Sequence, residues 1–250
     1  MTERIPALKH QGEKERRTSR GKRVLLAIVF ALVAIILVVL FFRSSLSKIS
    51  EIQVTGNAYL STEEVLQALD VQAGDSFFIP GAGDLRARVA KLEAVQSAEI
   101  AKKFPGVLRV KVTEYPQVAV QLSADGQVFS VLANGLVLPL REGKLPDKPI
   151  LSGWQASDPN FIALCRILNS LSPHMLSDLS EIRPDPSTAY SDRIKLFTRS
   201  RFEIVTTVTK LPDKISYLSD IVQNREPGKV VMLEADTYLP YSAENANTES

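Results

Sequence analysis

Residues 24–42 read VLLAIVFALVAIILVVLFF, and this stretch decides how the chain is divided. It holds 19 apolar residues without a charge, a glycine or a proline. A helix of that length is about 28 Å long, which matches the ~30 Å hydrocarbon core of a bilayer. No later stretch approaches 18 consecutive apolar residues, so the sequence predicts one transmembrane helix.

Two other interpretations of residues 24–42 fit less well. A buried core helix rarely runs this long without one polar residue. A secretory signal peptide has an apolar stretch of about 7 to 15 residues and ends at small residues. This stretch is longer and ends at Leu40, Phe41, Phe42 and Arg43, so we expect an anchor that is not cleaved.

The charges on either side of the helix predict its direction. Residues 1–23 contain eight basic and three acidic residues, whereas only Arg43 and Lys48 are basic in the 15 residues after the helix. Because basic flanks stay in the cytoplasm, we expect a cytoplasmic tail over 1–23 and an extracytoplasmic part from residue 43 onward. Residues 24–250 carry 22 basic and 25 acidic residues, which argues against nucleic-acid binding.

Residues 48–114 predict a compact unit of strand, helix, helix, strand and strand. Its clearest signal is Ser61-Thr62-Glu63-Glu64, in which Ser61 and Glu64 have the spacing of a capping box. The predicted elements are a strand ending at Gly56-Asn57, a helix from Ser61 to about Leu69, a helix over 84–92, and strands over 95–102 and 108–114.

Residues 115–241 predict a second, strand-rich domain with a few helices. Asp125-Gly126 and Asn134-Gly135 separate alternating runs, which is typical of hairpin turns. Residues 175–182 fit a helix or a strand, and the polar end 242–250 is expected to be unstructured. The other predicted elements are helices over 161–171 and from Pro212, strands over 193–197 and 202–208, and a last strand over 230–233.

The sequence offers no set of residues for catalysis. His174 is the only histidine after residue 42, so a zinc site or a Ser-His-Asp triad is disfavoured against a solvated turn residue. Cys165 is the only cysteine, which excludes an internal disulfide and favours a small buried hydrophobe over a nucleophile. Gly81-Ala82-Gly83 begins like a dinucleotide motif, but Arg86 stands where the third glycine belongs. We therefore predict no catalytic, cofactor-binding or metal-binding residues.

Three short stretches and their order resemble a known family. They are Ile-Ser-Glu-Ile-Gln-Val-Thr-Gly-Asn at 49–57, Lys-Phe-Pro-Gly at 103–106 and Val-Lys-Val-Thr-Glu at 110–114. With the basic tail and the single span, they resemble the bacterial cell-division family FtsQ, called DivIB in Gram-positive bacteria. The resemblance implies an α+β fold in which a POTRA domain follows the membrane helix. Tyr115 stands where family members often have Arg.

The resemblance also implies a function. It predicts a non-enzymatic, single-pass membrane scaffold that is concentrated at the division septum. Its expected partners are FtsL-like and FtsB/DivIC-like bitopic proteins and other division membrane proteins, with no nucleic acid, cofactor or small-molecule substrate. Together they help control or stabilise septal peptidoglycan synthesis.

Sheet edges are the predicted binding sites. An exposed edge offers unpaired backbone groups that another extended chain can join. In the first exported unit we expect residues 107–114, or whichever strand is outermost, to be such an edge. In the second, the resemblance implies that a partner strand joins the last strand and the segment after it. The residues concerned are Val230, Val231, Met232, Leu233, Asp236, Tyr238, Leu239 and Tyr241. The alternative is that 230–233 is only a core strand.

Two other functions are weighed against this one. An outer-membrane assembly or secretion factor with POTRA units would need many further strands of a β-barrel, and only nine residues follow Tyr241. A membrane-tethered cell-wall enzyme would need the catalytic residues that the sequence does not supply.

Overall fold

The computed structural model describes residues 15–123, 125–140 and 147–242. The predicted membrane helix is confirmed as α1 (Glu15–Arg43), in which Gly21–Arg43 is long and apolar enough to cross a bilayer. A short 3-10 turn (Ser45–Ser47) follows. The predicted cytoplasmic tail up to residue 14 and the predicted unstructured end from residue 243 lie outside the described residues.

The first domain has the predicted βααββ order. Its elements are β1 (Glu51–Thr55), α2 (Thr62–Leu69), α3 (Ala82–Val89), β2 (Val95–Lys103) and β3 (Val107–Glu114). The capping box is present: Ser61 Oγ accepts from the Glu64 N–H at 3.1 Å, and Glu64 Oε2 accepts from the Ser61 N–H at 2.7 Å. Helix α3 begins two residues before the predicted Asp84, because the Asp84 carboxylate accepts from the Gly81 N–H at 3.1 Å.

The strand order of this domain corrects one prediction. The order is β1-β3-β2, with β1 parallel and β2 antiparallel to β3. Residues 107–114 therefore form the central strand and have no free edge, because the first strand of the domain pairs with the side of β3 that the β2–β3 hairpin leaves open. The core between sheet and helices includes Val65, Leu69, Leu85, Val89, Leu108, Val110 and Val112.

The second domain is one nine-stranded mixed sheet covered by helices. Its strands are β4 (Gln117–Leu122), β5 (Val128–Leu132), β6 (Val137–Pro139), β7 (Ile150–Leu151), β8 (Leu179–Pro184), β9 (Arg193–Thr198), β10 (Glu203–Thr207), β11 (Gly228–Met232) and β12 (Asp236–Pro240). Its helices are α4 (Pro159–Ser170), α5 (Pro173–Asp178) and α6 (Leu211–Asn224). The strand order is β12-β11-β10-β9-β8-β7-β4-β5-β6.

The predicted hairpins of the second domain are confirmed, and two strands were not predicted. Strands β4, β5 and β6 form an antiparallel meander, with Gly126 and Gly135 at positive φ in its turns. The ambiguous stretch 175–182 contains the end of α5 and the start of β8. Strand β7 joins the meander to the rest of the sheet by parallel pairing with β4 and β8. Strand β12 is the second strand that was not predicted. Because β12 lies outside β11, the predicted last strand at 230–233 is not at the end of the sheet.

The helices pack on one face of this sheet. The core includes Phe161, Leu164 and Leu168 of α4, Leu218 and Ile221 of α6, and Ile182, Leu196, Ile204 and Val230 of the strands. Cys165 is fully buried among them, and its burial raises the pKa of the thiol to about 12. His174 lies exposed in the first turn of α5, so it belongs to a helix and not to the predicted turn.

The two domains meet where β3 runs into β4. The Glu114 carboxylate accepts from the backbone N–H groups of Ala58, Tyr59 and Leu60 at 2.9, 2.7 and 2.8 Å. The Tyr115 N–H donates to the Ala94 carbonyl at 2.9 Å, so this contact uses the backbone and needs no arginine. Across the junction, Asn134 Nδ2 donates to the Glu93 carbonyl at 2.8 Å, and the Tyr59 hydroxyl donates to Gln117 Oε1 at 3.2 Å.

Candidate partner-binding edge

Strand β12 lies at one end of the nine-stranded sheet. Among residues 15–123, 125–140 and 147–242, no strand pairs with its outer side. On its inner side it pairs antiparallel with β11, with Gly228 opposite Pro240 and Met232 opposite Asp236. The outer side is therefore the exposed edge of the second domain at this end.

The position of one hydrogen bond shows which backbone groups of β12 face outward. The Tyr241 N–H donates to the Pro227 carbonyl at 3.2 Å, and these two residues lie opposite each other in the register. Antiparallel strands alternate bonded and non-bonded pairs, so Leu239 and Thr237 also direct their backbone groups inward. The outward groups are the N–H and C=O of Asp236 and Tyr238 and the C=O of Pro240.

Pro240 fits this arrangement. A proline has no N–H, and here that N–H would point away from β11. The ladder between β11 and β12 therefore loses no hydrogen bond, which is why proline is tolerated at the outer side of an edge strand.

Half of the predicted binding residues lie in or beside β11, not at the edge. Val230 and Met232 are fully buried on the helix side of the sheet, Val231 is half-buried on the other face, and Leu233 follows the strand. Since β11 pairs with β10 on one side and β12 on the other, the expectation that 230–233 is the last strand with a free edge is wrong. Strands β11 and β12 are consecutive in the chain and pair as a hairpin, but the hydrophobic run at 230–233 hides this pairing in the sequence.

The other predicted residues lie at the edge. Asp236, Tyr238 and Leu239 belong to β12, and Tyr241 follows it. Side chains on the helix side hold the strand in place: the Tyr238 hydroxyl donates to the Glu226 carbonyl at 2.6 Å, and Lys214 Nζ lies 2.6 Å from Asp236 Oδ2. The edge is therefore a fixed strand and not a loose end of the chain.

A second ion pair fixes the turn before β12. Lys210 Nζ donates to the Leu233 carbonyl at 2.9 Å and to Glu234 Oε1 at 2.7 Å. That hydrogen bond raises the pKa of Lys210 and lowers the pKa of Glu234. Both groups are accordingly charged at neutral pH, and α6 and the turn stay joined.

The sheet face opposite the helices has a mixed character near the edge. Leu239 is exposed there and lies opposite Lys229 in the register, while Lys229 Nζ is 3.8 Å from Glu203 Oε1. Farther into the sheet, the Arg183 guanidinium stacks on the Phe197 ring at 4.7 Å from its centroid. A strand added beside β12 would place its own side chains next to Leu239.

Sequence reasoning missed Gly228, Thr237 and Pro240. A Cβ on Gly228 would overlap the Leu239 carbonyl oxygen, so only glycine lets β12 approach β11 this closely. Nothing in the local sequence reveals that approach. Thr237-Tyr238-Leu239 followed by Pro240 was a usable signal, because β-prone residues before a proline are typical of an edge strand.

The chemistry of this edge is that of backbone hydrogen bonding. Within the part of the chain that the structure describes, no group of three or more His, Cys, Asp or Glu side chains is placed to hold a metal ion. The two residues weighed and disfavoured for catalysis, His174 and Cys165, lie apart from β12, on α5 and in α4.

Comparison with known proteins agrees with the sequence-based resemblance. Residues 47–115 match the family model described as "POTRA domain, FtsQ-type". The chain is 37% identical over 243 residues to "Cell division protein DivIB" of Paenibacillus polymyxa, covering 97% of this chain and 94% of that protein. It is 31% identical over 249 residues to "Cell division protein DivIB" of Brevibacillus brevis, covering 98% of this chain and 92% of that protein.

A solved structure is also similar. It is the major extracytoplasmic domain of the trans isomer of the bacterial cell division protein DivIB from Geobacillus stearothermophilus, at 25% identity and a TM-score of 0.38. The match covers 46% of this chain and 99% of that chain. Since the two relatives match over nearly their whole length, this chain belongs to the DivIB family of cell division proteins.

Proposed function

We propose that this chain is a non-enzymatic scaffold of the division septum. Its tail lies in the cytoplasm, α1 crosses the cell membrane once, and both domains lie outside. It binds FtsL-like and FtsB/DivIC-like bitopic proteins and helps control or stabilise septal peptidoglycan synthesis. Membership of a cell-division family and the single apolar helix at the N-terminal end support this role.

The observation that carries the proposal is the free outer side of β12. An extended partner segment can add a strand there, gaining hydrogen bonds from Asp236, Tyr238 and Pro240. Main-chain bonds supply affinity in this mode of binding, and side-chain contacts such as one to Leu239 supply selectivity.

Two of the other edges of the described sheets, β6 and β2, suit a partner less well. Strand β6, at the far end of the second sheet, has only three residues. Strand β2 has an irregular register between Val95 and Ser97 and exposes Glu99 and Lys103. Bulges and charged residues are common ways of protecting an edge against pairing. Strand β12 has no bulge, and its one charged residue, Asp236, is paired with Lys214 of α6.

A proline at Asp236 tests the edge directly. Asp236→Pro removes an outward N–H at the first residue of the strand, where proline is best tolerated, and Asp236→Ala removes the same side chain but keeps the N–H. The full-length variants are co-purified with the partner proteins in detergent, and affinities are measured. We expect the proline variant to bind about tenfold more weakly than the alanine variant, since one hydrogen bond is worth about 1 kcal/mol and its ring also blocks the approach.

Equal affinities of the two variants, with native circular dichroism, would rule out strand addition at β12. Septal localisation is tested separately, by a fluorescent protein fused to the N-terminus. Even distribution of the fusion over the membrane would contradict the proposed site of action.

A further inference from the structure

The first domain has an apolar surface at the end where it joins the membrane helix. Outside α1, the described residues include six large apolar side chains that are exposed, and four of them lie at this end. The four are Leu46 at 49% exposure, Phe78 at 43%, Ile79 at 75% and Phe104 at 59%. We call these four residues the apolar rim.

Ring contacts connect the apolar rim to the membrane helix. The Phe78 ring centroid lies 6.0 Å from that of Phe41 and 5.8 Å from that of Phe42. Phe77 connects Phe78 to Phe104, with centroid distances of 5.4 and 6.3 Å. Phe41 and Phe42 are the last apolar residues of α1, so with α1 across a bilayer Phe78 would lie at the depth where the hydrocarbon meets the lipid headgroups.

Hydrogen bonds join α1 to the first domain. Ser47 is almost fully buried, and its hydroxyl donates to the Phe42 carbonyl at 2.7 Å, which closes the end of the helix. The Phe77 N–H donates to the Ser47 carbonyl, and the Ile49 N–H donates to the Asp75 carbonyl, both at 2.8 Å. The segment that carries Phe78 is thus bonded to the chain that leaves the membrane.

A lysine supports the same segment from inside the domain. Lys102 Nζ donates to the carbonyls of Phe77 and Pro80 at 2.6 and 2.5 Å, and it lies 5.7 Å from the Phe77 ring centroid. Partial burial lowers the pKa of Lys102, and the Asp84 carboxylate opposes that shift. With Phe77 buried and both carbonyls held, Phe78 and Ile79 are directed outward.

We propose that the apolar rim inserts into the outer leaflet of the membrane that α1 spans. Apolar side chains with basic neighbours are typical of surfaces that lie in the lipid interface. Arg43, Lys48 and Lys103 are exposed beside the rim and suit anionic headgroups. The first domain therefore rests on the bilayer in one orientation, independently of which partner binds β12.

Lipid-quenching measurements on the full chain test this proposal. The protein is placed in nanodiscs of phosphatidylcholine and phosphatidylglycerol with an environment-sensitive fluorophore on Ile79→Cys. The matched control is Leu122→Cys in the second domain, where the native side chain is 51% exposed. Cys165 is buried, and unsubstituted protein treated in parallel measures its background labelling.

We expect a fluorophore at position 79 to be blue-shifted and quenched by doxyl lipids at least about twofold more than one at position 122. Equal quenching at both positions would overturn the proposal and would leave a partner protein as the occupant of the rim. A label on Phe104→Cys provides an independent site if substitution of Ile79 disturbs the fold. It must show the same quenching by lipid for the proposal to stand.

Discussion

Glu114 shows how one side chain joins distant parts of the fold. It ends β3, yet its carboxylate accepts from three successive backbone N–H groups in the loop before α2. These donors lie in the loop just before the N-cap Ser61 of α2. Hydrogen bonds to a charged acceptor are among the stronger ones in proteins.

Glu114→Gln should therefore loosen the loop at 58–60. The amide retains one acceptor oxygen but turns an NH₂ group toward backbone donors, so we expect a loss of about 1–3 kcal/mol in local stability. Hydrogen–deuterium exchange of residues 58–60 measures it. Glu99→Gln is the control, because the 3.8 Å pair of Glu99 with Lys111 is mostly exposed and contributes little. Unchanged exchange in Glu114→Gln would show that the carboxylate is dispensable.

Cys165 should be unreactive in the folded protein. Burial raises the pKa of its thiol from 9.0 to about 12, so the thiolate needed for reaction is absent at pH 8. We expect DTNB to modify it only in guanidinium chloride. Between the two pKa values the unfolded thiol is ionised and the folded thiol is not, so this group favours unfolding as the pH rises above 9.0. Rapid modification of native protein would contradict this.

At the scale of single elements, Gly56 and Gly74 are required for different structural reasons. Gly56 and Gly74 both have positive φ, at 83° and 99°. A Cβ on Gly56 would also overlap the Val112 carbonyl oxygen of β3, whereas one on Gly74 would meet nothing within 4 Å. The Gly56-Asn57 signal at the end of β1 thus reflects a close approach between strands as well as a turn.

Alanine substitutions separate the two effects. Gly74→Ala should lower the free energy of unfolding by about 1 kcal/mol, because alanine is strained in the left-handed conformation. Gly56→Ala should cost at least about 2 kcal/mol, because β1 must also move away from β3. Urea unfolding of the detergent-solubilised chain, followed by far-UV circular dichroism, compares them. If both variants lose the same free energy of unfolding, β1 can move away from β3 without destabilising the domain.

The loop at 77–80 depends on Lys102. Lys102→Met keeps an apolar stem of similar length but leaves the carbonyls of Phe77 and Pro80 without their donor. We expect faster hydrogen exchange at Phe78 and Ile79, by about tenfold for a loss of about 1.4 kcal/mol. Lys91→Met is the control, since Lys91 is an exposed lysine of the same domain that does not lie beside the apolar rim. Similar exchange in both variants would show that the loop holds its shape unaided.

At the scale of the whole molecule, the junction decides how the two domains are placed. Asn134, in the β5–β6 turn, makes one hydrogen bond to each domain. Its Nδ2 donates to the Glu93 carbonyl of the first domain at 2.8 Å, and its Oδ1 accepts from the Leu136 N–H of its own turn at 3.2 Å. The first of these bonds and the Tyr59 to Gln117 bond join the second domain to the first.

Asn134→Asp separates these two contacts. The carboxylate still accepts from Leu136 but repels the Glu93 carbonyl, so we expect a broader distance distribution between spin labels on Glu63 of α2 and Ser216 of α6. Asp125→Asn makes the reverse change in the β4–β5 turn, where the Asp125 carboxylate accepts hydrogen bonds from Ser123 and from the Gln127 backbone of the same turn, and it should leave the distribution unchanged. An unchanged distribution in Asn134→Asp would mean that backbone hydrogen bonds, such as that from Tyr115 to Ala94, hold the two domains together without the Asn134 side chain.

Local signals in the sequence determined the membrane helix, the capped helix α2, the hairpins of the meander and the family resemblance. Each depends on residues close together in the chain: an apolar run, a Ser-to-Glu spacing, or a glycine that takes positive φ. Only the tertiary structure decided that β3 is central, that β7 joins two halves of one sheet, and that β12 pairs with the edge of β11. Strand order depends on which strands pair with each other, and an alternating pattern of apolar residues does not specify that. The wholly apolar run at 230–233 suits a paired core strand and a free edge equally, and the physical difference is only the presence of β12 beside it.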